Sequence, residues 1–362
     1  MSGRLGSRSA PYARSSRLVR YLAVAYLLLV VYASLYPFTD WRVPNEDVRA
    51  FLAAPWPPFL PWSDVALNVL GYLPLGFLLA LTLLSSLRRG FAAAAASMLG
   101  AALSLLFELI QVYLPARIAS NVDLLCNSAG AAAGAALAAW SGPRWILSGK
   151  LHRLRLRWFE RDPAVDLCFL LLLAWLATQL NAEIWLFGNG DVRHLLAAPA
   201  VVNYSAHTYL LLEAGVASLG FAAVALTLTA VARSVAAATV AVTALFGAAL
   251  GLKSLASVTL FTAGEPWLWI TPGSLWGLAA GVALWAAFLV FDRPVRIAAA
   301  AMFLALGIAL VNAAPENPYL AAALQVWRHG HYAALNEFTR VVSAAWPFAA
   351  IACLAYAGRR LP

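Results

Sequence analysis

The sequence predicts an all-α fold, a polytopic transmembrane helix bundle of about ten spans, and three observations carry that prediction. First, 63% of the 362 residues are hydrophobic and only 11% are charged, whereas a soluble domain averages about half apolar and a quarter charged. Apolar surface on that scale has to leave water. Second, apolar runs long enough to cross a bilayer, about 20 residues each, recur along the chain. Third, the cations gather in alternate breaks between those runs, as short cytoplasmic loops require.

The runs are 18–38, 65–87, 91–114, 122–141, 164–187, 207–232, 235–260, 273–291, 296–314 and 339–358. Arg4, Arg8, Arg14, Arg17 and Arg20 precede or open the first run, which continues to Tyr36-Pro37 without an A-x-A ending. It therefore reads as a retained helix and not a cleaved signal. Helix-breaking punctuation separates the others: Arg88-Arg89-Gly90, Pro115, Gly188-Asn189-Gly190, Asp292-Arg293-Pro294 and Pro315-Glu316-Asn317-Pro318. Starting inside and alternating sides, the cytoplasmic segments also collect Arg88, Arg89, Arg144, Lys150, Arg153, Arg155, Arg157, Arg161, Arg233, Arg293, Arg296, Arg359 and Arg360. The outside receives Arg42, Arg49, Arg117, Arg193, Arg328 and Arg340. That excess of roughly three to one predicts both termini in the cytoplasm.

Four regions follow: a basic N-terminus (1–17), four helices (18–141), a basic linker (142–162) and about six further helices (163–362). The linker sets Trp145, Ile146, Leu151, Leu154, Leu156, Trp158 and Phe159 among its cations, the pattern of a helix lying on anionic lipid. Trp41, Trp56 and Trp62 in the loop 39–63 read as interfacial anchors.

Several function classes are excluded. The net charge of +9 is accounted for by loop asymmetry, so no nucleic-acid partner is expected. Cys126, Cys168 and Cys353 lie in apolar runs without C-x-x-C spacing, as small buried hydrophobes. His329-Gly330-His331 lacks companion ligands, so no metal is expected, and no nucleotide or hydrolase fingerprint implies a cofactor. The expected partner is the lipid bilayer; oligomeric state is left open.

Polar groups inside spans are costly, so each needs a reason. Asp64 and Asn68 open the second helix, Glu108 and Gln111 close the third, Arg117 lies in the loop, and Asp123 and Asn127 open the fourth. Spacings of three and four put each helix's pair on one face. At 1.5 Å per residue, Glu108 falls roughly 9 Å below a helix end at Leu114. All seven fall at the predicted outer end, where neighbouring helices would form one polar cavity. D-x-x-x-N-x-x-G occurs at both Asp64–Gly71 and Asp123–Gly130, read either as a helix-pair repeat or as shared N-terminal capping by Asp. Glu108 is the candidate catalytic residue. Desolvated, it would serve as general acid or base; paired with Arg117, it would help to clamp a polar ligand. Hydrogen-bonding glue between helices is the simpler alternative. In the second half, Glu213 and Lys253 sit at similar depth and suggest a buried ion pair, while Gln179, Asn181 and Glu183 close the fifth helix.

Asp64, Asn68, Gly71, Pro74 and Gly76, then Glu108-x-x-Gln111, Arg117, Asp123, Asn127, Gly130 and Gly134, resemble the signature of the VanZ-like family over about residues 18–140. Leu73 stands where an aromatic residue is expected, and 163–362 has no counterpart in short members. The resemblance implies a four-helix membrane unit in the cell envelope, in a family named for glycopeptide (teicoplanin) resistance. It implies no defined reaction. The glycines and Pro74 are read as helix-packing positions; Gly130 and Gly134 form G-x-x-x-G.

Overall fold

The computed structural model describes residues 17–45, 47–59, 61–142, 150–181, 183–196, 202–260, 266–315 and 333–361. Arg4, Arg8, Arg14, Arg144, Trp145, Ile146, Arg328 and His329–His331, all used above, lie outside them. The chain divides between Arg155 and Leu156 into two compact units.

Unit 1 holds α1 (Arg17–Leu35), α2 (Trp62–Leu83), α3 (Arg89–Gln111) and α4 (Asn121–Gly142). The most extensive packing is α2 on α4, with α3 against α4 and α1 against α2. Small residues explain the closeness of α2 and α4. A Cβ added to Gly130 would strike the Val69 carbonyl, and one added to Gly134 would strike that of Leu73. Glycines four apart on α4 thus fit over carbonyls four apart on α2, and the two helices run parallel. Gly76 makes the same approach to the backbone of Ala131. Gly71 differs from the expectation, because a Cβ there would meet open space. Its carbonyl instead accepts the Tyr26 hydroxyl at 2.9 Å, one turn before Pro74. Helix α3 stops at Gln111 and not at Leu114. Residues 112–114 form turns, because the residue before Pro115 is pushed out of the helical region. Glu108 therefore lies in the last turn, roughly 4.5 Å from the helix end.

α5 (Lys150–Trp158) crosses the unit boundary. Unit 2 contains α6 (Pro163–Thr178), the short α7 (Arg193–Leu196), α8 (Ala206–Val231), α9 (Val235–Leu260), α10 (Pro272–Phe288), α11 (Arg293–Ala313) and α12 (Ala333–Arg360). α8 is apolar on every side and buried along most of its length, so it forms the axis against which α10 and α11 pack. Phe187, Phe221 and Phe246 interlock around it, with ring centroids 4.0 Å apart for Phe221–Phe246 and 4.9 Å for Phe187–Phe246. The thiols of Cys168 on α6 and Cys353 on α12 meet at 3.1 Å in this core, a contact unreadable from isolated cysteines.

Among the described residues, eight helices are long and apolar enough to cross a membrane. Two of the ten anticipated spans are shorter, with 16 residues in α6 and 17 in α10. The fifth was expected to reach 187 but ends at Thr178, where side chains compete for the backbone. The Thr178 hydroxyl donates to Trp175 O at 2.6 Å, and Asn181 Oδ1 accepts Glu183 N–H at 2.8 Å. Gln179, Asn181 and Glu183 thus begin an irregular segment instead of closing a helix. That segment is buried from Leu186 to Gly190, and its backbone is satisfied from neighbouring helices. Asn312 on α11 donates to Gly190 O at 2.7 Å, and Gly190 N–H reaches Ser343 O on α12 at 2.9 Å. Non-helical backbone within a membrane bundle is tolerated only with such partners.

Candidate functional site

The site is assembled where α2 and α4 begin and α3 ends. Ser120 caps α4: its Oγ accepts Asp123 N–H at 3.2 Å. In a capping box the acid three residues on would return a bond to the Ser120 N–H. Here that N–H donates to Glu108 Oε2, across from α3, at 2.8 Å. Asp123 is thereby released from capping and accepts Asn68 Nδ2 from α2 at 2.8 Å. Glu108 is only 3% exposed. Burying a carboxylate is costly, and the α4 amide and the positive end of that helix offset the cost.

Deeper in the bundle, Asn127 Nδ2 donates to Ser104 Oγ on α3 at 3.0 Å. Asn127 is 5% exposed, and its Oδ1 has no hydrogen-bond partner. The Tyr72 hydroxyl lies beside Ser34 and Ser104 and within the field of Glu108. Asp64, at the exposed start of α2, lies close enough to Asp123 for their charges to interact.

Arg117 and Gln111 have a different role from the clamp considered above. The last four carbonyls of a helix lack intrahelical donors. In α1 all four find one. Tyr32 O accepts Tyr36 N–H at 2.9 Å and Leu35 O accepts Phe38 N–H at 3.0 Å. Ser34 O accepts Gln111 Nε2 at 2.9 Å, and Ala33 O accepts Arg117 Nη2 at 2.6 Å. Arg117 Nε adds a bond to Tyr36 O at 2.9 Å. The guanidinium lies within the field of Glu108 without a direct bond; burial lowers its pKa and Glu108 raises it. Replacing Arg117 with Ala should lower stability by about 1–3 kcal/mol, read as a reduced melting temperature in detergent. Lys should restore only part, since it lacks the two-pronged reach of a guanidinium.

The structure therefore brings Asp64, Asn68, Glu108, Asp123 and Asn127 into one cluster and assigns Gln111 and Arg117 to the end of α1. Sequence reasoning passed over Ser120, Ser104 and Tyr72. Ser120 was detectable, because Ser120-x-x-Asp123 is a capping-box pattern. Among the described residues, no three His, Cys, Asp or Glu side chains gather to hold a metal ion.

Glu213 and Lys253 form no ion pair. Lys253 Nζ donates to Asn181 O at 2.6 Å and to Ile184 O, both in the irregular segment. Glu213 Oε1 accepts the Thr271 hydroxyl at 2.7 Å, at the start of α10. Similar depth did not imply adjacency, because depth leaves open which way each helix face turns.

Fold and site together define a multi-pass helical membrane protein with a polar cluster at one end of its first four helices. Residues 18–142 match the model of the VanZ/LLP1 family, so the chain carries a VanZ-like segment followed by a helical extension. No curated protein and no solved structure matches it.

Proposed function

We propose that this is a bacterial cytoplasmic-membrane protein, with both termini inside, that acts at the outer face on a lipid or lipid-linked cell-envelope molecule. In this reading Glu108 carries the chemistry, and Asp64, Asn68, Asp123 and Asn127 line the site. The observation behind it is Glu108: a buried carboxylate held by the amide of the residue that caps a neighbouring helix, among more polar groups than helix adhesion needs. The positive-inside distribution supports the sidedness, and the VanZ-like match motivates a connection to glycopeptide (teicoplanin) resistance. The cluster occupies one end of α1–α4, which favours action at one leaflet over a flippase or other transporter pathway through this unit.

The test compares lipid and cell-wall precursor profiles of cells lacking the protein with cells expressing wild type or Glu108→Gln at matched levels. A precursor pool that changes about tenfold with wild type and returns to baseline with Glu108→Gln is expected for a proton-transferring carboxylate. A second reading, a non-catalytic binding or accessory protein, is favoured by the Glu108–Ser120 bond, which a structural carboxylate would also make. It prevails if both forms change the profile equally.

A further inference from the structure

We infer that the polar cluster of unit 1 recognises its ligand through a protonated amine. The inference rests on the reading of this cluster as a ligand site and specifies what the site takes. The hydrogen-bonding capacity left in the cluster leans towards acceptors. Its principal side-chain donors are already turned to protein oxygens: Asn68 to Asp123, Asn127 to Ser104, Gln111 to Ser34 O, and Arg117 to Ala33 O and Tyr36 O. The Arg117 guanidinium is anchored at the end of α1 through Nε and Nη2.

Most of the remaining groups are acceptors, and the Tyr72 hydroxyl, buried without a partner, can either accept or donate. Glu108 and Asp123 each spend one carboxylate oxygen on a protein donor, Ser120 N–H and Asn68 Nδ2 respectively. Asn127, buried at 5% exposure, presents an amide oxygen with nothing donating to it. An interchange of its amide atoms would let the amide oxygen accept from the Ser104 hydroxyl and leave the amide nitrogen open instead, so the acceptor surplus is carried by the Glu108 and Asp123 oxygens. Charge runs the same way: Glu108 and Asp123 lie within each other's field with one guanidinium near Glu108, and Asp64 adds its field at Asp123. A ligand has to bring donors and positive charge. A bare metal ion is disfavoured, because among the described residues no three acidic, His or Cys side chains gather closely enough to hold one. An ammonium, with three donors directed outward, suits acceptors spread over α2, α3 and α4.

The amine could belong to a lipid headgroup or to a free solute, and one experiment separates the two. The full-length protein in mild detergent is exposed to phosphatidylethanolamine or phosphatidylglycerol of identical chains, with and without free ethanolamine, and retained lipid is read by native mass spectrometry. The expected result is about tenfold preference for phosphatidylethanolamine, lost in Asp123→Asn, as charge-assisted bonds to a carboxylate would give. Competition by ethanolamine would assign recognition to the amine alone; resistance to it would assign recognition to the amine-bearing lipid. If Asp123→Asn does not fold, Asp64→Asn at the exposed start of α2, melting like wild type, replaces it and should reduce the preference. Equal or greater retention of phosphatidylglycerol, or a preference unchanged in a folded carboxylate variant, overturns the inference. Either outcome leaves the Glu108→Gln precursor profile standing, so the two readings fail separately.

Discussion

Gly134→Val should abolish the folded first unit, with a loss of about 3 kcal/mol or more. A Cβ at this position has no room, because it would overlap the Leu73 carbonyl and crowd the Phe77 amide of α2. Both are backbone atoms of a packed helix and cannot swing aside as a side-chain tip can. The helices would have to separate, and the Asn68–Asp123 bond that closes the site across the same interface would go with them. Detergent melting curves of purified protein would show a much lower melting temperature, or no cooperative transition. Gly71→Ala is the control. It occupies open space in a helix interior and should be neutral or stabilising by about 0.5–1 kcal/mol, since Ala loses less backbone freedom than Gly. If the two substitutions cost the same, the account of α2–α4 packing fails.

These glycines mark where the sequence was legible and where it was not. Helix existence was readable, because sustained apolarity and charged or Pro/Gly breaks are local signals. The polar cluster was readable for a similar reason: carboxylates and amides in apolar helices stand out against their surroundings. Partners were not readable. Arg117 looked like half of a pair with Glu108, yet its donors go to Ala33 and Tyr36 carbonyls more than 80 positions earlier. Nothing in the sequence announces an unsatisfied carbonyl, since every residue has one. Gly71 and Gly134 share a signature but not a role, because the face each turns to a neighbour depends on helix rotation. The end of α6 at Thr178 was hidden by the apolar residues that follow it, which are buried as loop instead of helix.

Lys253→Met should lower the stability of unit 2 by about 2 kcal/mol, with the loss concentrated in the irregular segment after α6. Lys253 is 3% exposed, and its ammonium donates to the Asn181 and Ile184 carbonyls. Met fills similar space without a donor, so two carbonyls lose a charged partner inside an apolar bundle. Relief of the buried charge offsets part of that loss, which keeps the total below the sum of two charged hydrogen bonds. Hydrogen exchange should rise in residues 183–192 while α8, the buried axis of the unit, stays protected. A double-mutant cycle with Glu213→Gln then separates this account from the buried ion pair that sequence depth suggested. Glu213 takes its bond from Thr271, so the two substitutions share no partner and should add to within about 0.5 kcal/mol. A coupling of 1 kcal/mol or more, roughly what contacting pairs show, would restore the ion pair. Additivity together with localised exchange would establish Lys253 as the tether of a non-helical segment, a use of intramembrane charge that requires no acid nearby.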